Sequence, residues 1–90
     1  MANVIITFKI MPESLEVDLN KLEKEVKELI SKYGEVGRVE REKVAFGLEA
    51  LNFIVIYDEK KGSPDFLEDN VRNVEGVMYA EVTDVRRQIG

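Results

Sequence analysis

The feature that most constrains the fold is a change in the spacing of apolar residues near residue 18. Residues 3–10 alternate apolar and polar side chains, which is the pattern of a β-strand with one buried face. From Leu19 to Tyr33 the apolar residues recur every three or four positions, as in an amphipathic α-helix. The segment Met11–Ser14 contains a proline and is expected to break the strand, and Asp18 is expected to cap the helix. Gly34 is expected to lie just past the end of this helix. The chain therefore begins with a strand followed by a helix.

The rest of the chain predicts two strands, a short helix and a last strand. Residues 35–45 carry charge on both faces, which predicts an edge strand protected against pairing with other chains. Residues 48–57 are apolar on both faces, which predicts a central strand. Ser63-Pro64 predicts the start of a helix that ends at Gly76, and residues 77–85 predict the final strand.

This order of elements predicts an α+β fold of the ferredoxin-like type, β-α-β-β-α-β. The four strands are expected to form one antiparallel sheet with the first and third strands central, and both helices to cover one face. Residues 1–90 are expected to be a single domain. The other face of the sheet is expected to be open to a partner. Its predicted lining comes from the two central strands: Ile5, Thr7, Ala50, Asn52, Ile54 and Ile56.

Composition excludes several classes of function. The chain contains no cysteine and no histidine, so it lacks thiolate metal ligands, cysteine nucleophiles and the commonest general base. A net charge of −5 argues against a nucleic-acid partner, because a nucleic-acid binder ordinarily offers a basic face to phosphates. No apolar run approaches the roughly 20 residues of a membrane span. We therefore expect a cytoplasmic protein without a cofactor, a nucleic-acid partner or a membrane contact.

The acidic loop that precedes the first helix offers candidate metal ligands, namely Glu13, Glu16 and Asp18. Carboxylates are the side chains that divalent cations prefer, but the spacing of these three imposes no coordination geometry. Asp18 also has a structural role as the helix cap. We expect a solvated acidic loop and no metal site.

Two short segments are candidates for a binding site. Phe46-Gly47 lies between two predicted strands, where a turn ordinarily selects polar residues. Arg86-Arg87 concentrates positive charge in the predicted C-terminal tail of an acidic chain. An exposed aromatic residue with a cationic end nearby is a combination that docks other proteins. The residues alone leave an alternative open for each segment: Phe46 as a core residue at a strand end, and the arginines as a solvated tail.

The fold permits many functions, so it does not decide between them. One alternative is a regulatory domain that senses a small molecule and forms a homodimer through its sheet. Such domains usually accompany an enzyme or repeat within a chain, whereas residues 1–90 are expected to be one domain standing alone. A covalent enzyme is set aside, because the chain lacks histidine, cysteine and a convincing acid–base pair.

Three separated segments resemble the translation elongation factor 1-beta family, in its archaeal form. Residues 44–52 read VAFGLEALN, similar to the family signature I-A-F-G-L-x-x-L. Residues 8–14 (FKIMPES) and residues 81–87 (EVTDVRR) are similar to the family's opening and closing segments. The resemblance covers essentially the whole chain. It implies a guanine-nucleotide exchange factor, acting without covalent chemistry on elongation factor 1-alpha, the GTPase that carries aminoacyl-tRNA to the ribosome.

The resemblance also implies roles for the two candidate segments. In the family, the aromatic residue of the Phe-Gly turn helps hold the GTPase, which makes Phe46, beside Gly47, the expected anchor. A basic side chain near the C-terminus is pushed toward the Mg²⁺ and phosphate site, and Arg87 is the best match, with Arg86 adjacent. Eukaryotic members have a lysine one residue from the C-terminus, whereas two arginines precede Gln88–Gly90 here. Arginine is a planar fork and lysine a point charge, so which arginine is inserted stays open. The free protein is expected to be a monomer.

Overall fold

The computed structural model describes residues 3–58, Lys60 and residues 65–87. The four strands form one antiparallel sheet in the order β2-β3-β1-β4. The predicted ferredoxin-like fold is confirmed, with the first and third strands central. The predicted helix start at Ser63-Pro64 lies outside the described residues. The helices and strands are β1 (Asn3–Pro12), α1 (Leu19–Ser31), β2 (Gly34–Lys43), β3 (Glu49–Asp58), α2 (Asp65–Arg72) and β4 (Val77–Arg87).

The hydrophobic core lies between the two helices and one face of the sheet. Every second residue of the two central strands is buried on this face, as the alternating pattern predicts. Each fully buried large side chain stabilises the fold by about 1.5–3 kcal/mol relative to an exposed one. The strands contribute Val4, Ile6, Phe8, Ile10, Leu51, Phe53, Val55 and Tyr57, and the helices contribute Leu22, Val26, Ile30, Leu67 and Val71.

The N-terminal cap of α1 is the one predicted from the sequence. The Asp18 carboxylate accepts hydrogen bonds from the backbone N–H groups of Asn20 at 3.0 Å and Lys21 at 3.3 Å. A cap of this kind stabilises a helix by about 1 kcal/mol. It also fixes the point at which the preceding acidic loop joins α1.

The end of α1 differs from the prediction. The helix ends at Ser31, and Gly34 is the first residue of β2 rather than the residue that terminates the helix. The role of Gly34 is close approach between strands, because a Cβ atom there would lie 2.9 Å from the carbonyl oxygen of Ile56. Gly34 therefore serves the pairing of β2 with β3 and does not end the helix.

Strand β1 continues to Pro12, where the sequence predicts a break. Met11 pairs with Tyr79 and Pro12 pairs with Val77, both in β4, and the register shifts between the two pairs. Pairing with β3 has already ended at Ile10. Proline is tolerated here because it lies at a strand end beside a bulge, where the missing N–H breaks no regular ladder.

A bulge in β2 changes which of its residues face the helices. The register with β3 shifts by one residue between Val36 and Arg38, which leaves Gly37 as the extra residue. Strict alternation places Val36 and Val39 on opposite faces, but after the bulge both pack against the core. Strand β2 is the edge strand that its charges predict.

The open face of the sheet carries most of the predicted residues. Ile5, Thr7 and the three β3 residues Asn52, Ile54 and Ile56 are partly exposed. Ala50 differs, since it is fully buried opposite Glu42 of β2. Its methyl group is too short to reach past the longer side chains of the neighbouring strands.

Candidate functional site

The hairpin between β2 and β3 closes through a tight turn at residues 45–48. The N–H of Val44 donates to the carbonyl of Leu48 at 2.9 Å, and the N–H of Leu48 donates to the carbonyl of Ala45 at 3.3 Å. The two central residues both have positive φ, at 63° for Phe46 and 77° for Gly47. Positive φ at both central positions is the geometry of a type I′ turn, whose twist matches that of the flanking strands.

Phe46 is a residue that this turn does not favour. The first central position of a type I′ turn prefers asparagine, aspartate or glycine, and a left-handed conformation costs other residues about 1–2 kcal/mol. Within residues 3–58, 60 and 65–87, Phe46 is the only non-glycine residue with positive φ. Its side chain is 92% exposed, so burial does not offset the strain. The alternative of a core residue is wrong, and the ring is available to contact another molecule.

The two arginines do not form a tail. Arg86 and Arg87 are the last described residues of β4, where they stand opposite Ile5 and Val4 of β1. Residues directly opposite each other in an antiparallel pair lie on the same face of the sheet. Arg86 therefore lies on the open face, and Arg87 lies on the face that the helices cover. The strand continues through both charged residues, because their backbones remain paired with β1.

Arg86 is held by a short ion pair on the open face. Its Nε donates to Oδ2 of Asp84 at 2.8 Å. The side chain of Arg86 is 77% exposed, so solvent screens the pair and its contribution to stability is small. Most of the guanidinium remains accessible to a partner that covers the open face.

Phe46 and the arginines lie at opposite ends of the sheet and are not neighbours, a point that the sequence alone left open. The turn adjoins the end where β1 finishes and β3 starts, whereas Arg87 pairs at the start of β1. From Val4 to Met11 the strand spans roughly 23 Å at about 3.3 Å per residue, and the turn lies beyond that. A separation of about 30 Å follows, and one partner contacting both features must extend along the whole sheet.

The sequence gives little sign of Leu15, an exposed residue that lies beside the turn. Leu15 belongs to the loop between β1 and α1, and its side chain is 68% exposed. Its Cδ2 atom would lie 3.7 Å from a Cβ atom placed on Gly47. Only one feature of the sequence could have indicated an exposed Leu15. It is an apolar residue between Ser14 and Glu16, and it belongs to neither the strand period before it nor the helical period after it.

The described residues offer neither a clustered metal site nor a membrane-spanning helix. In residues 3–58, 60 and 65–87, no three acidic side chains come together as metal ligands would. In the same residues, no helix has the length and apolarity needed to cross a membrane.

The sequence is similar to that of a known family of domains. Residues 5–87 match the model of the EF-1 guanine nucleotide exchange domain. An elongation factor 1-beta of Methanothermobacter thermautotrophicus is 44% identical, with 97% of this chain and 98% of that protein covered. One from Pyrococcus abyssi is 42% identical over 94% of each chain. One from Staphylothermus marinus is 36% identical over 97% of this chain and 98% of that protein.

Solved structures of similar shape support the fold alone. The crystal structure of the ACT domain from GTP pyrophosphokinase of Chlorobium tepidum has a TM-score of 0.64, with 89% of this chain and 97% of that chain covered. The solution structure of the same domain has a TM-score of 0.62, with 91% and 88% covered. The sequence identities are 17% and 20%, which is too low to carry function between the two proteins.

Proposed function

The chain belongs to the family of EF-1 guanine nucleotide exchange domains, and from this premise we propose that it is an elongation factor 1-beta that exchanges GDP for GTP on elongation factor 1-alpha. Residues 1–90 act as one exchange domain, monomeric when free, in the cytoplasm where translation takes place. No covalent bond is made or broken. The small-molecule-sensing alternative is not favoured, because the resemblance to ACT domains extends to the fold only.

The observation that best supports a protein partner is the conformation of Phe46. Strained residues persist where the strain has a use, and this ring contributes nothing to the core because it is 92% exposed. The tight turn fixes the backbone that carries the ring, so little backbone entropy is lost on docking. Aromatic side chains are prominent among residues whose truncation weakens protein complexes most. Phe46 is therefore the proposed anchor, and Gly47 supplies the second left-handed residue of the turn.

The arginine end is proposed to act on the nucleotide site of the GTPase. GTPases hold the phosphates of GDP through Mg²⁺ and backbone donors, so a cation placed there competes with the metal. Arg87 is the proposed group, because it is the best match for the family's basic side chain near the C-terminus. Arg86 and Arg87 lie on opposite faces of the sheet, so only one of them points into a given partner surface. Substituting each arginine by itself can therefore distinguish their roles.

Exchange then follows from differential binding. A factor that binds the nucleotide-free GTPase more tightly than the GDP-bound form shifts the population toward release. Contact at Phe46 supplies affinity at one end of the sheet, and the cation about 30 Å away weakens the hold on GDP. GTP, when in excess, then occupies the emptied site.

The test is the release of fluorescent GDP from elongation factor 1-alpha, with and without this protein. The chain should accelerate release, and Phe46→Ala should raise the half-saturating concentration with an unchanged fold. Arg87→Ala should lower the maximal rate, with Arg86→Ala as the matched control. If neither arginine substitution slows release, no inserted cation is involved. If Phe46→Ala binds as tightly as the original chain, Phe46 is not the anchor.

A further inference from the structure

We propose that Leu15 is a second apolar contact with the GTPase, so that Leu15 and Phe46 form a two-point docking surface. This inference rests on the proposed function and adds a residue to it. Leu15 belongs to the loop of residues 13–18, the Leu15 loop.

The Leu15 loop is held in place without help from the Leu15 side chain. Its first residue, Glu13, donates its N–H to the carbonyl of Gly76 at 2.9 Å, and its last residue caps α1. Between them, the N–H of Glu16 donates to Oγ of Ser14 at 3.2 Å, as in a serine turn. Leu15 is 68% exposed at the tip of this arrangement. A leucine is therefore presented to solvent from a loop with a restrained backbone, which has little backbone entropy left to lose on binding.

Leu15 lies against the turn that presents Phe46. Its Cδ2 would be 3.7 Å from a Cβ atom on Gly47, which is ordinary van der Waals distance. Residues of both the Leu15 loop and the turn line a cavity of about 160 Å³. Small-molecule pockets usually exceed about 300 Å³, so this hollow suits one side chain of a partner rather than a metabolite. The residues that line it include Pro12, Leu15, Val17, Leu19, Gly47 and Leu48.

The charge around this surface indicates the chemistry of the partner. Glu13 and Glu16 are exposed on the Leu15 loop, and Glu49, which stands opposite Lys43 of β2, lines the cavity. Residues 10–20 contain no lysine or arginine. An apolar contact with acidic residues around it fits a partner surface in which an apolar side chain is flanked by lysine or arginine. A second copy of this chain would place like charges opposite each other, which opposes self-association through this surface.

The experiment compares Leu15→Ser with the original chain in two assays on elongation factor 1-alpha: direct binding by titration and the release of fluorescent GDP. Loss of one buried leucine contact should raise both the dissociation constant and the half-saturating concentration about tenfold. The maximal release rate and the thermal unfolding curve should be unchanged, because Leu15 neither reaches the nucleotide site nor enters the core. Leu15→Met, which keeps an apolar side chain, should bind within about twofold of the original.

Met78→Ser is the matched control, because Met78 is 54% exposed in β4 at the same end of the sheet as the Leu15 loop but does not line the cavity. It should leave binding unchanged. Equal weakening by Met78→Ser and Leu15→Ser would overturn the proposal, since any exposed apolar residue would then serve. Tight binding by Leu15→Ser, or a lower maximal rate at unchanged affinity, would also overturn it.

The two proposals fail in different ways. If the original chain binds the GTPase without accelerating GDP release, the exchange function is wrong, and the binding titration still decides the role of Leu15. If the original chain does not bind the GTPase, both proposals are wrong. If sedimentation shows a dimer that Leu15→Ser dissociates, Leu15 is a contact between copies and the proposed partner is wrong.

Discussion

The two ends of the sheet present their candidate residues in different ways. At the turn end, Phe46 is strained and 92% exposed, so the fold itself gives no reason for its presence. At the arginine end, Arg86 and Arg87 lie in a regular strand where exposed charges are common. A role for Phe46 is therefore indicated by the structure, whereas a role for the arginines depends on the family resemblance. Departure from what a fold requires is the more informative signal.

The two ends also differ in the kind of energy they can contribute to a complex. An aromatic ring contributes by leaving water, an effect that salt does not screen. An exposed guanidinium contributes through charge, which weakens at physiological ionic strength. The turn end is thus suited to affinity, and the arginine end is suited to acting on a charged site once the complex has formed.

The largest expected effect is that of Phe46→Gly, which separates binding from folding. Removing the ring should weaken binding to elongation factor 1-alpha by about 2–4 kcal/mol, as for other central aromatic anchors. Because glycine accepts positive φ, the free energy of unfolding should rise by about 0.5–1 kcal/mol. Titration and chemical denaturation measure the two quantities on the same variant.

Gly47→Ala is the matched control in the same turn. Its Cβ atom meets nothing closer than 3.7 Å, but φ is +77°, so the expected change is a loss of about 1 kcal/mol of stability from strain alone. A less stable Phe46→Gly variant would show that the ring supports the fold, and the contrast between the two ends would disappear.

The next effect concerns the arginine end and compares two glycines of β2. Gly34 stands opposite Tyr57, in the part of the sheet where β1 begins. Gly34→Ala should lower the free energy of unfolding by about 1–3 kcal/mol, because its Cβ atom would lie 2.9 Å from a backbone oxygen. Gly37→Ala, with 3.5 Å to the nearest atom, should change it by less than about 0.5 kcal/mol. Denaturant titration distinguishes them, and equal losses would mean that close approach is not what Gly34 provides.

The smallest expected effect is that of Asp84→Asn, which removes the carboxylate paired with Arg86. The pair is exposed, so stability should change by less than about 0.5 kcal/mol. If Arg87 is the group that acts on the nucleotide site, the maximal rate of GDP release should also be unchanged. If Asp84→Asn changes the maximal rate of GDP release by more than about threefold, and adding Arg86→Ala removes that change, Arg86 is the group that acts on the nucleotide site.

Much of the fold can be predicted from the sequence, because burial imposes a period on each element. The alternation in β1 and the helical spacing of α1 identified their buried faces, and Asp18 identified the start of α1. The charges of β2 identified an edge strand and the apolar character of β3 a central one. Each of these signals is local, so it can be read without knowing what the segment packs against.

The errors have a common cause, which is pairing between distant segments. Pro12 remains in β1 because β4 pairs with it, and Arg86 and Arg87 remain in β4 because β1 pairs with them. The bulge at Gly37 is defined by how β2 pairs with β3, where one residue of β2 has no partner. A short sequence window contains no information about such partners, since the pairing energy depends on residues far along the chain.

The candidate site divides in the same way. Phe46, Gly47, Arg86 and Arg87 could all be found from the sequence, because they break its composition pattern or match the family signature. Their arrangement could not: the separation of about 30 Å follows from antiparallel pairing of the strands.

By itself, the sequence determined which elements form and which residues are unusual, because periodicity and residue type act locally. Only the tertiary structure decided the strain at Phe46, since closing the hairpin imposes positive φ on that residue. It also decided the opposite faces of the two arginines, through the register with β1. It alone brought Leu15 against Gly47, because that contact depends on the packing of two loops that are far apart in the chain.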